Sequence, residues 1–238
     1  MDLRDKVCVV TGASRGIGKA VAEAFAARGA HLFLVARNER DLQATADACS
    51  TAGAPEVVVH AADLATTAGV RSTTKTVTEV FGGYDVLVNN AGRGEAKPIT
   101  EVSDAEFDID MALNLRAPYL LTRHAVEVMR RRGGGQVVQI ASGLAYGGRA
   151  EWSLYAAAKF GLRGFTESVR QEVSQENIKV GTVAPGYTAT HFFDSWGVPD
   201  AFALPLAPED VAHAVVAMVE QPETSDMKEI TVRNRASP

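Results

Sequence analysis

The stretch VCVVTGASRGIG, running from Val7 to Gly18, decides the fold. Uniformly apolar residues leading to Thr11 predict a short strand over Lys6–Thr11 that is buried on both faces. Gly12, Gly16 and Gly18 then allow a tight turn and a close approach of the backbone to a ligand. From Gly16 onward Ile17, Val21, Ala24 and Phe25 share one helical face, which predicts a helix over Gly16–Arg28, stopped by Gly29. Strand, glycine turn and helix together aim the helix's free amide hydrogens and positive dipole end at the turn, a cradle suited to a pyrophosphate. Three glycines alone suit a structural turn equally well. Their position between a first strand and a first helix is what gives them weight.

Outward from this unit, apolar β-branched runs alternate with helical patterns to the end of the chain. His31–Ala36, Glu56–His60, Val86–Asn89, Gln136–Ile140, Lys179–Val183 and Glu229–Val232 bring the predicted strands to seven. Helices are predicted near Glu39–Ser50, Gly69–Phe81, Asp104–Arg132, Ser153–Glu176 and Pro208–Glu220, with Ser103 and Glu106 forming a capping box. Each helix is long enough for a right-handed crossover between parallel strands. The expected class is therefore α/β: a doubly wound, seven-stranded parallel sheet with helices on both faces and a ligand site beyond the carboxyl ends of the strands. No linker interrupts the pattern, so residues 1–238 are expected to form a single domain.

Composition narrows the function. Lys plus Arg is 24 against 29 for Asp plus Glu, and the net charge of −5 gives no pull toward nucleic acid or anionic membranes. The opening MDLRDKVCVVTG carries early charges and no long apolar run, so neither a signal peptide nor a membrane anchor is expected, and a cytoplasmic setting follows by default. Cys8 and Cys49 lack any CxxC or histidine spacing, which leaves them as reduced packing residues and no metal site expected.

The spacing GxxxGxG resembles the short-chain dehydrogenase/reductase family, and the resemblance extends along the whole chain. It implies a Rossmann-type fold in which the backbone of Gly12, Ser14, Arg15, Gly16, Ile17 and Gly18 holds a dinucleotide. Asp63 and Leu64 match the family's adenine contact, and Asn90, Ala91 and Gly92 lie in its NNAG segment. By themselves Asp63 suits a helix cap and Asn89-Asn90 a turn. Family members that prefer NAD carry an acidic residue at the end of the second strand to hold the ribose 2′-hydroxyl. Ala36 fills that slot here, and Arg37 and Arg15 are placed to grip a 2′-phosphate, so the expected cofactor is NADP(H). Both arginines also suit an ordinary solvated surface.

Tyr155-Ala-Ala-Ala-Lys159 sets a phenol and an ammonium one helical turn apart. Such a pair is ordinary surface chemistry until its context is added. Ser142 lies thirteen residues before Tyr155, just past an apolar strand, and this matches the family's Ser-Tyr-Lys arrangement, with Asn114 as the fourth member. The resemblance implies that Tyr155 is general acid in carbonyl reduction and general base in alcohol oxidation. Lys159 would favour the tyrosinate, Ser142 would donate to the substrate oxygen, and Asn114 would hold a water relaying protons toward Lys159. Pro185-Gly186-Tyr187-Thr188-Ala189-Thr190 matches the PGxxxT segment, which implies cofactor contacts at Pro185, Gly186, Thr188 and Thr190.

Residues 187–207 are expected to form a substrate lid. Phe192, Phe193, Trp196 and Phe202 there suit either an apolar part of a small-molecule substrate or simple packing and subunit contact. Arg93, Tyr146, Arg149 and Trp152 are expected on the opposite wall. The chain ends KEITVRNRASP, unlike the ITGxxxxVDGG-like end of many 3-oxoacyl-carrier-protein reductases, and APEDVAHAVVAMVEQP looks more like broad-range NADP-dependent alcohol dehydrogenases and aldehyde reductases. Two other readings stay open: a reductase of carrier-bound acyl chains, and a non-catalytic NADP(H)-sensing regulator. The resemblance also implies a homodimer or homotetramer built through the long helices.

Overall fold

The strands β1 (Val7–Thr11), β2 (His31–Ala36), β4 (Val86–Asn89) and β5 (Gly135–Ile140) are buried almost throughout because neither of their faces meets water. Successive side chains of a strand point to opposite faces. Cys8, Val10, Leu32, Leu34, Val86 and Val88 accordingly join one core, while Val7, Val9, Phe33, Val35 and Leu87 join a second. The first core is closed by α1 (Gly16–Ala26), α2 (Glu39–Ala52) and α7 (Pro208–Val219). The second is closed largely by α3 (Thr67–Phe81) and α5 (Ala117–Arg132), against which α6 (Ser153–Glu172) also packs. The computed structural model describes residues 1–190, 192 and 204–235.

With β3 (Val57–Ala61), β6 (Ile178–Pro185) and β7 (Glu229–Val232), the sheet has seven strands in the order β3-β2-β1-β4-β5-β6-β7, all parallel. The chain reverses direction across the sheet between β1 and β4. A crevice opens beyond the carboxyl ends of strands at such a point.

Observed boundaries lie within a few residues of those expected, except in the stretch 104–132. In place of one helix there are α4 (Asp104–Met111), a π-helical turn over Ala112–Arg116, and α5. In that turn the Ala117 N–H donates to the Ala112 carbonyl five residues back. The cause stands in the sequence: Pro118 has no N–H to give the carbonyl of Asn114, four residues earlier. The regular ladder cannot run through that point, and the chain takes a wider turn instead.

Candidate active site

The turn after β1 and the loop after β4 meet at the crevice, and Thr11 joins them. Its hydroxyl donates to the Val88 carbonyl at 3.2 Å and accepts from the backbone N–H groups of Asn90 at 2.9 Å and Ala91 at 3.0 Å. The Asn90 amide donates in turn to the carbonyls of Thr11 at 2.9 Å and Gly12 at 3.2 Å. No side chain fits between these two segments. A Cβ on Gly18 would stand 2.3 Å from the Gly12 carbonyl oxygen and 2.5 Å from the Asn90 amide nitrogen. Gly18 therefore lies behind the turn as a close-packing residue, while Gly12, Ser14, Arg15, Gly16 and Ile17 line the cleft.

Helix α1 begins differently from α2, α3 and α4. Asn38, Thr66 and Ser103 accept hydrogen bonds from the first turns of those three helices, and Ser103 and Glu106 form the expected capping box. Arg15 at the start of α1 caps nothing with its side chain, and no acidic residue lies in the first turn. The first amide hydrogens of α1 thus have no side-chain cap, in a cleft whose floor is glycine. That arrangement fits a bound pyrophosphate.

Along the same cleft lie Ala36, Arg37, Asp63, Leu64, Asn90, Ala91 and Gly92 on one side, and Pro185, Gly186, Thr188 and Thr190 on the other. Ala36 is buried and small where an acid would close the slot, and Arg15 and Arg37 are exposed at its rim. Thr190 stands opposite Gly16, whose Cβ would approach its methyl group to 3.0 Å.

Ser142, Tyr155 and Lys159 all reach this cleft. Ser142 follows β5, and Tyr155 and Lys159 lie on one face of α6. Tyr155 is 8% exposed and Lys159 4%, so both titrating groups are out of water. The Lys159 Nζ donates to the Ile140 carbonyl at 2.9 Å and sits 5.5 Å from the centre of the Tyr155 ring. Burial pushes the phenol well above its ordinary range; the hydrogen bond with Ser142 works against this rise, and the charge of Asp110 adds to it. Burial pulls the Lys159 ammonium down to about 8.

Asn114 is fully buried in the π turn and does not line the cleft. Its side-chain oxygen accepts from the Arg93 N–H at 3.2 Å, and its nitrogen donates to the carbonyls of Arg93 at 2.8 Å and Asp110 at 3.0 Å. The Asn114 amide therefore staples the loop after β4 to the helix. A Cβ on Gly92 would lie 2.8 Å from the Asn114 oxygen and 3.8 Å from the Lys159 Nζ, so the missing side chain lets these groups close up. Arg93 corrects the expectation of a wall residue, because its guanidinium Nε lies 2.8 Å from the buried Asp110 carboxylate and the residue borders neither the cleft nor the cavity beyond Tyr155. Pairing across seventeen residues from a loop to a helix leaves no local pattern to read.

On the far side of Tyr155 its ring meets Trp152 edge to face at 5.7 Å and Phe192 at 5.4 Å. Gly94 makes room for this group, since a Cβ there would come within 2.8 Å of the Tyr155 ring and 2.9 Å of Phe192. Beyond lies a cavity of about 470 Å³ bounded by Ser142, Leu144, Tyr146, Arg149, Trp152, Tyr155 and Tyr187 and by Arg233 near the end of the chain. Tyr146, Arg149 and Trp152 thus line this cavity. Of the expected lid, Phe192 packs on Tyr155, while Phe193, Trp196 and Phe202 fall outside the described residues. The two ends of that segment are joined, with Leu206 N–H donating to the Tyr187 carbonyl at 2.9 Å and Ala189 N–H to the Leu206 carbonyl at 2.8 Å.

A sequence model of the family described as short chain dehydrogenase matches residues 6–199. The 3-oxoacyl-[acyl-carrier-protein] reductase of Vibrio cholerae is 36% identical over 190 residues, covering 80% of this chain and 76% of that protein. The sepiapterin reductase of Chlorobaculum tepidum is 33% identical over 236 residues, with 95% of each chain covered. Among solved structures, an alcohol dehydrogenase from Thermococcus sibiricus complexed with 5-hydroxy-NADP superimposes with a TM-score of 0.90 at 30% identity, covering 99% of both chains.

Proposed function

Because the chain belongs to the short-chain dehydrogenase/reductase family, we propose that it is an NADP(H)-dependent oxidoreductase that interconverts a ketone or aldehyde and an alcohol. The observation that carries this reading is the convergence of Ser142, Tyr155 and Lys159 on the cleft where the uncapped start of α1 meets the reversal of the sheet. NADPH bound in that cleft supplies a hydride for the carbonyl carbon. Ser142 donates a hydrogen bond to the carbonyl oxygen as charge grows on it. Tyr155 delivers the proton to that oxygen as general acid, and in the reverse direction takes it from the alcohol. Lys159, charged below a pKa of about 8, stabilises the tyrosinate left behind. Asn114 holds the loop and helix that border Lys159 and serves the proton relay from there. Monitoring NADPH absorbance with a panel of ketones and aldehydes tests the reading, and a protein that binds NADPH but reduces none of them would be the sensing regulator instead.

Arg15 and Arg37 hold the 2′-phosphate beside the open slot at Ala36. Replacing Arg37 by Gln removes a charge-assisted contact that NADH cannot use. The expected result is a fall in kcat/KM for NADPH of about tenfold, with the value for NADH changed much less. Steady-state kinetics with both cofactors checks this, and an equal loss for both would remove Arg37 from the selectivity site.

The lowered pKa of Lys159 sets a pH dependence. A base whose pKa is depressed is charged below that value and neutral above it, so the cation beside Tyr155 is lost as pH rises through about 8. Expected is a decline of kcat/KM for NADPH on the alkaline side of that point, because this parameter follows ionisations of the free enzyme. A profile from pH 6 to 10 that stays flat would contradict it.

The match to the Vibrio cholerae protein favours a second reading, reduction of a carrier-bound 3-oxoacyl thioester. That alignment spans 190 residues, 80% of this chain and 76% of that protein. Free ketones and thioesters compared side by side separate the two. We further read residues 1–238 as one catalytic unit with a lid at about 187–207, acting in the cytoplasm. No helix among the described residues is long and apolar enough to cross a membrane. A homodimer or homotetramer through α5 and α6 suits the exposed Tyr119 and Phe160 on those helices.

A further inference from the structure

The cavity beyond Tyr155 is built with a charge bias that the hydride chemistry does not require. Its lining includes Leu144, Trp152 and Tyr187 together with two guanidiniums, Arg149 and Arg233. No Asp or Glu among the described residues lines it. The carboxylate on β7, Glu229, is not on the lining: it accepts a hydrogen bond from the phenol of Tyr146, which does border the cavity, and lies 3.6 Å from Arg163. Arg233 has no hydrogen bond or ion pair through its side chain among the described residues.

The direction of Arg233 follows from the strand. Ile230 and Val232 pack against the first core, so the alternation of β7 sends Thr231 and Arg233 to the other face, where both line the cavity. Its backbone is held firmly. The buried side chain of Asn234 accepts from the Tyr187 N–H at 2.9 Å and donates to the carbonyls of Tyr187 at 2.8 Å and Leu204 at 3.0 Å. The Gly186 N–H donates to the Val232 carbonyl at 2.8 Å. A cation anchored on a rigid wall of a cavity that a second cation also lines, with no acid among the described lining residues, is a recognition element for an anion. We propose that the substrates are carbonyl compounds with an apolar or aromatic body and a carboxylate, bound by Arg233 while the carbonyl lies at Ser142 and Tyr155. The inference rests on the oxidoreductase reading above and names the substrate class for that same site.

The test compares phenyl-substituted 2-oxo, 4-oxo and 5-oxo acids with their methyl esters, using the full chain and NADPH, with neutral ketones alongside. Expected is a kcat/KM at least about tenfold higher for one of the acids than for its ester, carried mainly by KM. That preference should shrink as ionic strength rises, because salt screens the acid's attraction and leaves the ester unaffected. In the Arg233→Gln variant the acid-to-ester ratio should fall by about tenfold, and Arg233→Lys should restore part of it. Equal turnover of acid and ester by the unmodified chain, reduction of neutral ketones but not of acids, or an unchanged ratio in Arg233→Gln would each overturn the inference. Failure of every carbonyl compound to oxidise NADPH would instead overturn the oxidoreductase reading beneath it.

Discussion

Tyr155→Phe is expected to lower turnover at least about a hundredfold while leaving NADPH affinity close to that of the parent chain. The phenyl ring survives, so the edge contact with Trp152 at 5.7 Å and the packing on Phe192 at 5.4 Å are kept. Only the hydroxyl goes, and with it the hydrogen bond to Ser142 and the proton donor for the carbonyl oxygen. Burial makes the loss hard to replace. Tyr155 itself is only 8% exposed, so no water-facing group stands ready in its place to supply the proton. Single-turnover kinetics together with NADPH titration by fluorescence separates chemistry from binding. A variant with near-normal turnover would remove Tyr155 from the role of general acid.

The second large effect is structural. Gly18→Ala is expected to destabilise the chain by about 1–3 kcal/mol, the usual cost of forcing atoms into a packed site. It should also weaken NADPH binding by about tenfold or more. The new methyl carbon would meet the Gly12 carbonyl oxygen at 2.3 Å and the Asn90 amide at 2.5 Å, both of them backbone or anchored groups. Either the turn or the Thr11–Asn90 junction has to move, and both form the cleft. Gly164→Ala is the comparison, because that helical position has nothing within 4 Å of the added carbon and should gain slightly from alanine's better helix propensity. Thermal unfolding of both variants without cofactor decides it. A Gly18→Ala protein with parental melting temperature and parental NADPH affinity would show that the close approach is not needed.

How much of this was legible in the sequence depends on whether a feature is local. The strands could be read because Val7 to Thr11 and its counterparts are apolar at every position, as burial on both faces demands. The capping box at Ser103 and Glu106 is a three-residue pattern, and it formed. The cleft residues were readable because glycine turn, strand end and helix start are consecutive along the chain. The π turn around Asn114 was within reach but missed: Pro118 announced a broken ladder, and the apolar periodicity on either side of it masked the break. The ion pair of Arg93 with Asp110 and the packing of Phe192 on Tyr155 join segments far apart in the chain, and no spacing rule encodes such a meeting. Arg233 stood one residue beyond a short strand, where its direction was set by β7 docking on β6.

Leaving the first turn of α1 without a side-chain cap has an effect on the lifetime of the molecule as well as on its chemistry. Side chains cap the first turns of α2, α3 and α4, and under the proposed function a bound dinucleotide would take that place on α1, so that part of what holds the folded chain together would arrive from solution. A ligand present at about a hundred times its dissociation constant adds about 2.7 kcal/mol to the folded state. Cellular supply of the dinucleotide in either redox form, since both carry the pyrophosphate, would then help to set how long each copy escapes unfolding and proteolysis.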